Sequence, residues 1–252
     1  MLEGVTASDA HPVHDGLTLR ETRDGDVPAV VALHLAHLPH GLFPRLGRGF
    51  MARWHRTFLG ARHGVSLVVV DADDRVVGFL AGATAQRTHV RTVLAEQKVP
   101  LALAGIGALA VRPGVALHFL RTRARSYLRR LLGVQRVAAA PTPTTAVPTT
   151  ASGETDVAVV TALVVDPAAR GRGVGARLVG RFVELSTAGP ADRAELITLD
   201  GGDGAREFYE GLGWTLVGTR ANRDGQACLR MELTLPVAAT VREAVRPSGR
   251  HA

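Results

Sequence analysis

The sequence predicts a mixed α/β domain interrupted by a helical insertion, and three observations lead there. Short β-rich runs alternate with segments of helical period, the run 157–165 is apolar at every position except Thr161, and a block from 86 to 137 reads as helix without a strand signal. At 252 residues the chain can bury one sizeable core. We place a single domain at 17–236.

The first strand is the alternating run Leu17–Glu21, after which Asp24 is the expected N-cap of a helix that accepts Pro28 in its first turn and ends near His37. Leu46, Phe50, Trp54 and Phe58 recur every four residues and mark the buried stripe of a second helix. Val65–Val70 and Arg75–Thr84 form a hairpin, turning on Asp71, Ala72, Asp73 and Asp74. The helical insertion 86–137 follows, with breaks expected at Pro100 and Pro113 and with Arg121, Arg123, Arg125, Arg129 and Arg130 crowded near its end. Residues 138–155 carry Pro141, Pro143 and Pro148 and almost no large apolar side chain, the composition of a disordered linker. Order returns at Val157–Val165, a strand expected to be central and buried on both faces. A helix from Gly173 to Thr187, a strand at Ala194–Leu199, a short helix at Ala205–Glu210 and strands near Trp214–Thr219 and Ala227–Leu235 complete the order. The ends, 1–16 and 237–252, are expected to be a disordered and a mobile tail.

Composition bounds the function. Aromatic residues make up 4% of the chain, so the core must rest on Val, Leu and Ala. The net charge is +7, yet Lys98 is the only lysine among 30 basic residues and Tyr127 is the only aromatic within the arginine run 121–130, short of a stacking platform, which argues against a nucleic-acid partner. The single cysteine, Cys228, excludes an internal disulfide framework and a cysteine-built zinc site. The histidines are scattered, and His37 and His40 flank Pro39 without helical ligand spacing, so no metal site is expected. Residues 1–16 lack the basic-then-apolar pattern of a secretory signal, and the longest apolar run, Val99–Val111, has 13 residues, short for a bilayer span. A cytoplasmic location is expected.

The segment Asp166-Pro167-Ala168-Ala169-Arg170-Gly171-Arg172-Gly173-Val174-Gly175-Ala176 joins a buried strand to an amphipathic helix. Its glycines let backbone approach a phosphate, and the N–H groups of the helix start would face it, favoured by the helix dipole. A Walker A loop is excluded because no lysine lies here. The loose dinucleotide pattern fits Gly171 to Ala176, but five residues separate it from the strand.

Arg170-x-x-Gly173-x-Gly175 after an apolar strand and Asp-Pro resembles the acyl-CoA signature of the GNAT (GCN5-related N-acetyltransferase) superfamily. Phe208-Tyr209-Glu210-Gly211-Leu212-Gly213-Trp214 is similar to a second stretch of that family. The resemblance implies a central mixed, mostly antiparallel β-sheet flanked by helices, with the helical insertion between strands 3 and 4. It further implies acetyl-CoA as acyl donor and a primary amine on a small molecule, amino sugar or peptide as acceptor. By the same resemblance the backbone of Leu163, Val164 and Val165 would meet the pantetheine arm. Arg170, Gly171, Arg172, Gly173, Val174, Gly175 and Ala176 would hold the pyrophosphate, Val165 N–H would meet the oxyanion, and Tyr209 would protonate the departing thiolate.

Two departures stand beside this. Gly202 occupies a position where the family often has an asparagine, which leaves the adjacent Asp203 as a helix N-cap, and Ile197 occupies one where some members have a glutamate. No general base is evident, Asp200, Glu154 and Asp156 all lying near strand ends. A non-catalytic acyl-CoA-binding or protein-interaction module is therefore the alternative. The insertion also has two readings: a surface for a lipid-linked or anionic acceptor, or a helical cap with a solvated basic face.

Overall fold

The computed structural model describes residues 11–13, 16–122, 156–201, 204–222 and 225–236. Its strands are β1 (His11–Val13), β2 (Leu17–Glu21), β3 (Gly64–Val70), β4 (Val76–Ala83), β5 (Ala158–Val165), β6 (Arg193–Leu199), β7 (Thr215–Ala221) and β8 (Ala227–Thr234). They form one sheet in the order β1-β2-β3-β4-β5-β6-β8-β7, antiparallel throughout except for β5 beside β6. Seven of these strands lie where the sequence puts them. The eighth, β1, corrects the expected 1–16 tail, because His11–Val13 pairs with β2.

The helices are α1 (Val27–His37), α2 (Leu42–Arg45), α3 (Arg48–Arg56), α4 (Gln86–Ala110), α5 (Pro113–Thr122), α6 (Val174–Thr187) and α7 (Ala205–Gly211). Helices α1–α3 cover one face of the sheet and α6 and α7 the other. The predicted stripe is buried, Leu46, Phe50, Trp54 and Phe58 packing with Phe79. Scarce as aromatics are, five of them, Phe43, Phe50, Trp54, Phe58 and Phe79, pack on this face, where Trp54 lies edge-on to Phe43 and Phe58.

Asp24 does not cap α1. It opens a 3-10 turn, Asp24–Asp26, and its carboxylate is taken by Arg56 of α3 at 2.6 Å. Asp26 precedes Val27 instead, accepting from Arg23 N–H at 2.7 Å and from the buried Arg20 at 2.6 Å. For α7 the N-cap is Gly204, at φ +69°, and the expected Asp203 lies outside the described residues.

The insertion keeps one expected break and loses the other. Helix α5 begins at Pro113, where a missing N–H costs nothing, but α4 runs through Pro100. The lost hydrogen bond is tolerated because α4 is held on both sides of it. Leu101, Ala104 and Leu109 pack on the α1–α3 core, and Asp156 closes the N-terminus. The Asp156 carboxylate accepts from Arg87 N–H (2.8 Å), Thr88 N–H (2.9 Å) and Thr88 Oγ1 (2.7 Å). The helix's own N-cap, Ala85, has no side chain for this, so a residue 69 positions along the chain satisfies the first-turn donors. Burial works against ionisation of Asp156, but these hydrogen bonds outweigh it and hold the carboxyl below its usual range. The linker 138–155, the tail 237–252 and the arginines from 123 to 130 lie outside the described residues.

Two stability predictions follow from these contacts. Asp156→Ala removes a helix cap and should cost about 1 kcal/mol, measured as a lowered urea midpoint at pH 7. The second concerns three buried histidines. His34 and His55 share a 3.1 Å hydrogen bond among Trp54 and Phe79, and His89 stacks on Phe58. Burial pushes His34 and His89 down to about 4 and His55 to about 3. The unfolded chain therefore binds protons that the folded chain refuses, so stability is whole above pH 6.5 and falls as pH drops toward 4. Each histidine contributes up to about 1.4 kcal/mol per pH unit in that window. A melting series from about pH 8 to about pH 4.5 should show this slope, and His55→Phe should flatten it.

Candidate active site

Strands β5 and β6 are registered only from Ala158–Val160 to Ala194–Leu196 and then part. Each stays paired on its outer edge, β5 with β4 as far as Val165 and β6 with β8 as far as Leu199. The hydrogen bonds from Asp166 N–H to Val77 O and from Asp200 N–H to Ala227 O, both 2.9 Å, fix which residues turn inward. Antiparallel alternation then directs the N–H and C=O of Leu163 and Val165 on one side, and of Ile197 and Leu199 on the other, into the opening. Val164 is turned the other way. Its backbone is directed to β4 and its side chain is buried with the α1–α3 core, so backbone contact from the expected trio narrows to Leu163 and Val165.

At the end of β5 the chain makes a short turn in which Asp166 accepts from Ala168 N–H at 2.9 Å and Ala169 is buried. Gly171 and Gly173 follow at φ +73° and +75°, a region that disfavours any side chain, and nothing lies within 4 Å of where a Gly171 β-carbon would be. Arg170, Gly171, Arg172 and Gly173 are exposed, and Arg170 Nε lies 3.4 Å from Val165 O. Helix α6 starts with Arg177 N–H donating to Gly173 O, so the N–H groups of Val174, Gly175 and Ala176 belong to the first turn, which the helix cannot satisfy. The exposed turn 170–173 and these first-turn N–H groups follow directly on the end of β5.

The third glycine serves packing. A β-carbon on Gly175 would lie 3.1 Å from the Phe208 ring and 3.6 Å from Val165. Phe208 of α7 is thereby seated against the turn, a contact hidden in the sequence by the 33 positions between the two residues. Tyr209, next to it, is buried and edge-on to Phe208 and Trp214. Burial pushes its phenol above the ordinary value, so it stays protonated at neutral pH and keeps its O–H as a donor.

Of the acidic candidates, Asp156 is committed to α4 at the far end of β5, Asp200 is exposed at the open end, and Glu154 lies outside the described residues. Two residues not singled out before stand at the base of the opening. Thr161 forms the bulge of β5 opposite Ala81 and Gly82, with its buried Oγ1 lacking a hydrogen-bond partner. Its sequence signal was its polarity in an otherwise apolar run. Glu195 is 1% exposed, bonded to Arg193 Nε at 3.0 Å through Oε1, while its Oε2 has no hydrogen bond. A cleft of about 600 Å³ lies at the other end of the sheet, lined in part by Phe58–Leu67, Thr84 and Ala188–Pro190. Among the described residues no cluster suited to a metal ion occurs.

Residues 147–235 match a family model described as an acetyltransferase (GNAT) domain. This match covers both stretches that carry the sequence resemblance. Residues 147–235 are thus similar to a GNAT domain. Solved structures agree on the fold. Ard1 from Thermoplasma volcanium superposes with a TM-score of 0.51 at 15% identity, covering 88% of this chain and 99% of that one. A GCN5-related N-acetyltransferase from Kribbella flavida gives 0.51 at 15% identity over 87% and 98%. A putative acetyltransferase from Salmonella typhimurium, solved with acetyl-CoA, gives 0.51 at 13% identity over 89% and 97%. Among curated proteins none matches by sequence.

The packing role of Gly175 is testable. Gly175→Val must displace Phe208 and should cost about 1–3 kcal/mol. Gly180→Ala, where nothing lies within 4 Å, should be neutral or stabilise by up to about 1 kcal/mol. Urea midpoints of the two variants check both.

Proposed function

We propose that this protein transfers the acetyl group of acetyl-CoA to a primary amine on a small molecule, amino sugar or peptide. The observation that carries the proposal is the parting of β5 from β6 beside a glycine turn with unsatisfied helix N–H groups. A pantetheine arm carries amides of peptide geometry and can enter the opening as a surrogate strand against Leu163 and Val165. A pyrophosphate suits Gly171 to Ala176, with Arg170 and Arg172 exposed beside it. The Salmonella relative solved with acetyl-CoA supports the same ligand.

In this reading Val165 N–H stabilises the oxyanion formed when the amine nitrogen attacks the thioester carbonyl carbon. The new C–N bond forms, the C–S bond breaks, and the amine proton leaves to water. Tyr209, held protonated by burial, gives its proton to the departing thiolate and regains one from solvent. Held in one opening, the two reactants gain orientation, the main resource available without an assigned base. The cytoplasm, where Cys228 stays a thiol, is the proposed setting.

The second reading, a non-catalytic acyl-CoA-binding or protein-interaction module, is favoured by the seating of Tyr209 within the core between Phe208 and Trp214. Calorimetry with acetyl-CoA and thiol release over a panel of amines separate the two. The enzyme binds acetyl-CoA and releases thiol, Gly173→Asp weakens binding tenfold or more, by roughly 1.4 kcal/mol, and Tyr209→Phe keeps binding while slowing release roughly 10²-fold. Binding without release on any amine selects the module. Absence of acetyl-CoA binding sinks both.

A further inference from the structure

Helix α4 has two unlike sides. Leu101, Ala104, Ala108 and Leu109 pack on the α1–α3 core, and Gly105 sits against the Phe50 ring. On the other side Val99, Leu103 and Ile106 are 66%, 64% and 63% exposed and fall within about 60° of helix arc. Val111 and Leu117 extend the exposed apolar surface into α5. An apolar stripe of this kind on a folded domain marks an interaction surface.

Charge identifies the occupant. From 97 to 153 the sequence has no Asp or Glu but eight of the 30 basic residues, so this stretch carries +8 and the rest of the chain −1. Lys98 and Arg112 flank the apolar stripe and are exposed. Apolar side chains within a wholly basic stretch fit an anionic bilayer, whose phosphates meet the cations while its acyl boundary takes the apolar side chains. A second copy of the chain would bring two such positive stretches together, and they repel. By length and composition α4 could cross a bilayer, its apolar window having a mean hydropathy of 1.3. The packing of its inner side on the core makes it lie along the surface instead.

We propose that the exposed face of α4, continued by α5, docks this protein on anionic lipid bilayers, with Val99, Leu103 and Ile106 entering the headgroup–acyl boundary. Arg112 couples the docked helix to the domain, because its guanidinium donates to Leu46 O at 3.1 Å and lies over Gly47.

The test is flotation of the full chain with vesicles of phosphatidylcholine alone, or with about a third phosphatidylglycerol. The protein should float with the anionic vesicles, not with the neutral ones, and less as salt rises. Leu103→Asp with Ile106→Asp should weaken flotation about tenfold or more, and Lys98→Glu about fivefold. Both variants should melt as the unaltered chain does, since these positions are exposed. The proposal is overturned by no flotation with anionic vesicles, or by equal flotation of the double variant. It is equally overturned by a lowered melting temperature in that variant, which would mean the chain covers its own stripe. An oligomer that the double variant dissociates would assign the face to a second copy instead.

Discussion

The parting of β5 from β6 is the constraint on which the rest of the molecule depends. Backbone N–H and C=O groups are rarely left unpaired inside a protein, and an unsatisfied buried one costs about 1–3 kcal/mol. The sheet sustains the opening because each diverging strand is fully paired on its outer edge. The bulge at Thr161 adds local twist where β5 leaves its parallel neighbour. Two sockets on β4 then fix what lies beside the opening. A β-carbon on Gly78 would lie 2.9 Å from Val174, and one on Gly82 2.8 Å from the Phe182 ring. Four strand residues span about 13 Å and eight helical residues about 12 Å, so the two contacts seat α6 along β4 in a single register. The start of α6 therefore falls at the end of β5 and presents its unsatisfied N–H groups at the opening.

The other face is organised by contacts that reach far along the chain. Asp156 closes α4 across 69 positions, and Arg112 docks the turn between α4 and α5 on Leu46 across 66. The insertion is thus clamped at both ends of α4 and forms one layer with α1–α3. The neutral His34–His55 pair sits within that layer against Phe79 of β4. Protonation of either imidazole would place a charge among aromatic rings. The layer that frames one side of the opening is therefore also the acid-sensitive part of the fold.

What could be read from the sequence divides along the same line. The strand ending at Val165, the glycine turn and the start of α6 form one local run, and its pattern of apolar residues, Asp-Pro and glycine was sufficient to place it. The seven predicted strands were legible for the same reason, since period-two and buried runs are local signals. The role of Asp24 was misread because Arg56, 32 residues on, takes its carboxylate. The break expected at Pro100 fails because tertiary packing and a distant cap hold α4 on both sides. Strand β1 was missed because three residues carry too little pattern to stand out from a tail.

This division explains why the candidate site speaks more clearly of the donor than of the acceptor. The donor side is built from backbone directions and helix-start N–H groups, which follow from glycine positions and strand register. Under the proposed function an amine acceptor would have to be met by side chains, whose placement depends on long-range packing such as that of Arg112 over Gly47. Because α4 belongs to the α1–α3 layer, anything that engages its exposed face acts on the frame of the acceptor side while leaving the α6 turn on the opposite face of the sheet untouched. Under the proposed function, a basic, apolar-faced insertion placed there would bear on how an amine approaches the opening and not on how an acyl donor is held.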